Sequence, residues 1–153
     1  MRTFKEQVQN NSVALISLVV AVTSLGYNTW RNETTEEHRN IRMAAFEVLG
    51  ELGDLQEVIS YFTYYLPDAG DALQRGRTRV EGYGDVLRIR DLMNLMPEPG
   101  PGAGETLFQL WNERVNELGS GPQNATARAA EMALSKAVDD TRAAVVEVLT
   151  NLE

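Results

Sequence analysis

The apolar residues of the chain are contiguous near the start and periodic afterwards. From Val13 to Leu25 the sequence is apolar except for Ser17, Thr23 and Ser24, and no charge falls between Glu6 and Arg31. A bilayer span needs ~20 mostly apolar residues, and residues 10–30 meet that requirement with weakly polar ends. Tyr27, Trp30 and Arg31 sit where interfacial anchors are expected. Two other readings compete. One is a cleaved signal peptide, with Val22 and Ser24 at the cleavage site. The other is a buried helix of a soluble protein. The length of the charge-free gap favours a retained transmembrane helix.

Residues 31–40 are polar all round with no Gly or Pro, which predicts a helical stalk, either exposed or covered by a partner. Ile41, Ala45, Val48, Leu49, Leu52, Leu55, Ile59, Phe62 and Leu66 then recur at helical spacing until Pro67. One helix is therefore expected to run out of the membrane to Leu66, with about 54 Å between Arg31 and its end. Between residues 71 and 84, Gly76, Gly82 and Gly84 weaken any helix assignment. Leu87, Ile89, Leu92, Met93 and Met96 resume the pattern. Pro97–Gly104 is expected to be a loop, followed by a short helix with Leu107, Phe108, Trp111, Val115 and Leu118. After a second break at 119–124, the last helix carries Ala130, Leu134, Ala137, Val138, Thr141, Val145, Val148, Leu149 and Leu152. The fold class is all-α: an N-terminal transmembrane helix continuing into a bundle of about four helices. The two short middle helices are expected to lie end to end along the long pair. The organisation is a tail at 1–9, the span at 10–30, the stalk at 31–40 and the bundle at 41–153.

The small and polar residues of the span share one helical face. Asn10, Ala14, Ser17, Ala21, Ser24 and Asn28 alternate four and three residues apart. In lipid, small residues let helix backbones approach and Ser or Asn can hydrogen-bond across the contact, so this face is the candidate docking surface for another membrane helix. The bland alternative is that Ala and Ser are common in membrane helices. Basic residues are nearly balanced across the span, with Arg2 and Lys5 before it and Arg31, Arg39 and Arg42 after it. The expectation is a cytoplasmic N-terminus and a periplasmic bundle, since long domains can be translocated regardless of charge.

Charge and chemistry narrow the function. The 153 residues carry 22 acidic and 14 basic side chains, net −8, which argues against nucleic acid as a partner. Without cysteine there is no disulfide, zinc–thiolate site or thiol nucleophile. The one histidine, His38, has no second histidine to complete a metal site and lacks the Glu-x-x-His spacing that aims two ligands one way. No nucleophile–base pair or cofactor fingerprint is present; no enzyme activity, cofactor or metal is expected. The arginines at 75, 77, 79, 88 and 90 could hold an anion, but are better read as partners of the many carboxylates. Asp139 and Asp140 read as solvated surface. Tyr61, Phe62, Tyr64 and Tyr65 cannot all face one core, so Tyr61, Tyr64 and Tyr65 are a candidate distal contact. Trp111 reads as core.

The stretches "SLGYNTWRNE" (Ser24–Glu33), "NIR" (Asn40–Arg42), "FEVL" (Phe46–Leu49) and "RDL" (Arg90–Leu92) before a Pro-rich break resemble a group of short bacterial proteins with one anchor and no assigned function. The likeness is clear over the first third of the chain, and the Gly- and Arg-rich stretch Gly76–Gly84 departs from it. It implies a bacterial inner-membrane protein and assigns no catalytic residue. Together these features predict a non-catalytic accessory subunit whose partners are the lipid bilayer and an integral membrane protein complex. The alternatives are an anchored helical ligand-binding or sensor module, and a scaffold that forms a homo-oligomer.

Overall fold

The structure, a computed structural model, describes residues 11–66 and 72–152. Four helices account for nearly all of them: α1 (Ser12–Tyr64), α2 (Ala72–Met93), α3 (Gly100–Leu118) and α4 (Ala125–Asn151). The chain divides into two compact units between Arg39 and Asn40, so α1 contributes to both.

Among the described residues, the first unit consists of the N-terminal part of α1 alone. Its residues from Val13 to Leu25 are all exposed. One window of α1 near the N-terminus is long and apolar enough to cross a membrane, and none of it is buried by the protein. The threonine hydroxyls here bond locally: Thr23 donates to the Val19 carbonyl at 2.8 Å and Thr29 to the Leu25 carbonyl at 3.0 Å. That back-bonding removes the penalty a free hydroxyl meets in hydrocarbon.

The second unit is a four-helix bundle. Ala45, Val48, Leu52, Leu55, Ile59 and Phe62 of α1 bury the predicted stripe against Val86, Ile89 and Met93 of α2, Leu107, Trp111 and Leu118 of α3, and Leu134, Val138, Val145 and Val148 of α4. The helices alternate in direction. Going up α1, Glu51, Val58 and Tyr61 meet Arg88, Gly82 and Gln74, going down α2. Met93, Tyr83 and Gly82 of α2 likewise meet Gly104, Phe108 and Trp111 of α3. The bundle closes where Gln56 Nε2 donates to Ser135 Oγ of α4 at 3.0 Å.

Three expectations are corrected. The two middle helices do not lie end to end; they pack side by side and antiparallel, each long enough to line the core alone. The glycines of 76–84 do not interrupt α2, which runs straight through them. At Gly82 the reason is on the far side of the core: a Cβ there would fall 2.6 Å from Trp111 Cζ2 and 2.8 Å from Val58 Cγ1. Finally, the expected loop at Pro97–Gly104 ends early, because α3 begins at Gly100. Pro101 lies in its first turn, where a missing N–H loses no helical bond. Gly100 and Gly104 let this turn close on α2; a Cβ at Gly104 would sit 3.1 Å from Met93 Cβ and 3.3 Å from Arg90 Cα.

α4 starts on a defined cap. Asn124 Oδ1 accepts from the Thr126 and Ala127 backbone N–H groups at 2.8 and 3.2 Å, satisfying two of the helix's orphan donors.

Candidate interaction surfaces

The predicted docking face of the span stands fully exposed. Ala14, Ser17, Ala21, Ser24 and Asn28 lie on α1 with no covering side chain among the described residues, while Asn10 falls outside them. The interfacial aromatics Tyr27 and Trp30 are also exposed, with ring centroids 6.1 Å apart, and Arg31 follows them into the polar segment.

Within the bundle, the aromatic group at the end of α1 separates by face. Phe62 is buried. Tyr64 and Tyr65 are exposed, and Tyr61 is half-buried, stacked on Tyr65 at 5.9 Å with its hydroxyl accepting from Gln74 Nε2. The same outward side of α1 presents Met43 and Phe46, which are 62% and 66% exposed. Gly50 and Gly53 continue it, and a Cβ at either would meet nothing within 4 Å.

Beside that face runs a groove of about 360 Å³ between α1 and α2, lined by Asp54, Glu57, Val58 and Tyr61 from one side and Thr78, Glu81 and Asp85 from the other. Its carboxylates come from two helices, so no local motif announces them. Burial, then the charges of Glu51, Glu81 and Asp54, push the Asp85 carboxyl up to about 6, against a smaller opposing pull from Arg88. Arg88 is committed elsewhere: its Nη1 donates to Glu51 Oε1 at 2.5 Å, a bond that raises the guanidinium's proton affinity. Glu51 is only 9% exposed, and its Oε2 is buried without a hydrogen-bond partner among the described residues.

The arginine run is dispersed by the fold. Arg90 pairs with Asp91 at 3.2 Å and lies over the Phe108 ring at 4.3 Å from its centroid. Arg77 and Arg79 are exposed. A second outward strip, Leu73, Gly76, Val80 and Gly84, follows α2, edged by both signs of charge at Arg77 and Glu81. Asp139 and Asp140 are exposed, Asp140 pairing with Lys136. Among the described residues, no group of three or more His, Asp or Glu side chains is placed to hold a metal.

Compared with family models, curated proteins and solved structures, the chain matches none.

Proposed function

We propose that this chain is a non-catalytic, single-pass accessory subunit of a larger bacterial inner-membrane complex. The span docks through Ala14, Ser17, Ala21, Ser24 and Asn28, and the bundle covers the partner's surface on the periplasmic side. The observation that carries this reading is a contrast between the two units. Among the described residues, the bundle completes its core from α1 beyond Asn40 and α2–α4 alone, whereas the apolar window of α1 contributes nothing to a core and is uncovered. A continuous apolar helix surface of that length is not left in water; lipid covers its bulky sides, and a helix packs on its small one.

Extraction of the full chain in mild detergent tests this. The expected outcome is co-purification with another integral membrane protein at fixed stoichiometry, lost when Ala14, Ser17 and Ala21 are replaced together by Leu although the chain remains in the membrane fraction. Recovery as a freely soluble protein overturns the reading. So does a monomer holding a small ligand, or a self-dimer indifferent to that triple substitution.

A further inference from the structure

The inner face of α1 in the bundle is accounted for by the core; its outer face is not. Met43, Phe46, Gly50, Gly53, Glu57, Tyr61 and Tyr64 are spaced three or four residues apart on one side of the helix, and all but the half-buried Tyr61 are exposed. Glycine in a helix interior costs roughly 1 kcal/mol relative to alanine. At Gly82 the fold requires it, because Trp111 occupies the space. At Gly50 and Gly53 the fold does not, because both positions open on empty space. What the two glycines do provide is bare backbone between the exposed Phe46 and Tyr64. A second helix can settle there at the short end of the usual ~8–10 Å interaxial distance.

The flank of this lane fixes the charge of what enters it. Asp54, Glu57, Glu81 and Asp85 line the adjoining groove, and Arg88, the guanidinium acting on Asp85, is bonded to Glu51. Carboxylates gathered along one groove repel one another. The Asp85 carboxyl is displaced upward first by partial burial and then by the charges of Glu51, Glu81 and Asp54, against a smaller pull from Arg88. Val58 and the Tyr61 ring line the same groove, a surface suited to the aliphatic stem of a lysine or arginine whose head reaches the acids. A second copy of this chain is a poor occupant. Two copies running the same way set Glu57 against Glu57 and add a second set of groove carboxylates, in a protein already at net −8.

We infer that the Met43–Tyr64 face of α1 is the seat of one α-helix of a different protein, packed on Gly50 and Gly53 and sending Lys or Arg side chains into the carboxylate groove. This rests on the accessory-subunit reading and specifies the chemistry of the contact outside the span.

The test places the photo-crosslinking amino acid benzoylphenylalanine at position 46 of the full chain in native membranes, with a control at Val146, which is exposed on α4. The adduct from position 46 should be a helical peptide carrying Lys or Arg, from the protein that co-purifies at fixed stoichiometry, and position 146 should not give it. Gly53→Leu should cut the adduct at least tenfold with the chain's melting temperature held or raised, since leucine favours the helix. The combined variant Asp54→Asn, Glu57→Gln, Glu81→Gln should cut it similarly, and added salt should weaken the wild-type contact. An adduct to a second copy of the chain, to lipid alone or to an acidic segment overturns the inference. So does an adduct unaffected by Gly53→Leu or by the combined variant. If span substitutions still abolish co-purification while these variants leave it intact, the accessory-subunit reading stands and this seat falls. If no stoichiometric partner exists, both fall together.

Discussion

At Gly82 a hydrogen atom stands where any other residue places carbon, and the indole of Trp111 uses the room. Gly82→Ala should therefore destabilise the bundle by about 1–3 kcal/mol, the usual penalty of forcing an extra methyl into a filled core, despite alanine's better helix propensity. Thermal unfolding of the purified chain checks it. Gly50→Ala and Gly53→Ala should do the opposite, each raising stability by up to ~1 kcal/mol because their Cβ atoms meet nothing. Asp85 gives a pH-dependent counterpart. Its carboxyl, ordinarily near 3.8, holds its proton up to about 6 in the folded protein, so ionisation opposes folding. That opposition is absent below the unfolded value and grows as pH rises through about 6. Unscreened, a rise from 3.8 to about 6 corresponds to ~3 kcal/mol, but a half-open group is screened by solvent, and about 1 kcal/mol is expected. Asp85→Asn should then raise the melting temperature at pH 8 and leave it nearly unchanged at pH 3.5.

The elements differ in how openly the sequence declares them. α1 and α4 carry long apolar stripes, and residues such as Leu52, Ile59, Leu134 and Val145 are buried where helical spacing puts them. Trp111 is likewise in the core. α2 was obscured because three glycines in nine positions look alike in sequence but do different things. Gly82 admits a ring from another helix, while Gly76 and Gly84 face open space. No local rule separates those cases, since the deciding contact comes from a residue far along the chain. The start of α3 was hidden for the same reason: Gly100 and Gly104 read as loop residues until Met93 and Met96 are seen pressing on them. The groove was illegible too, because its acids belong to two helices and only the antiparallel pairing of α1 with α2 gathers them. The start of α4 is simpler. Asn124→Ala removes an acceptor from two backbone N–H groups and should lower stability by ~1 kcal/mol, with the loss of amide-exchange protection greatest at Thr126 and Ala127.

On the scale of the whole molecule, the two units place opposite demands on solvent. The second has a closed apolar core built from residues beyond Asn40. A fragment comprising residues 40–153 should accordingly be a soluble, cooperatively unfolding helical protein, while the full chain should require detergent; circular dichroism and sedimentation of the two distinguish them. The all-α architecture and the apolar helix near the N-terminus were both readable from periodicity and the charge-free gap. The packing order of the middle helices was not, because stripes give a helix's buried side and say little about which neighbour fills it.

The chain holds two tryptophans, and the fold assigns one to each unit: Trp30 is 65% exposed in the first, Trp111 enclosed in the second. The unlabelled protein is thus a two-channel optical reporter. Entry of the N-terminal helix into vesicles should shift the Trp30 emission to the blue and expose it to brominated lipid quenchers. Denaturant should act chiefly on the Trp111 band, shifting it to the red. A Trp→Phe change at either position isolates the other signal, so insertion and unfolding can be timed separately in one cuvette.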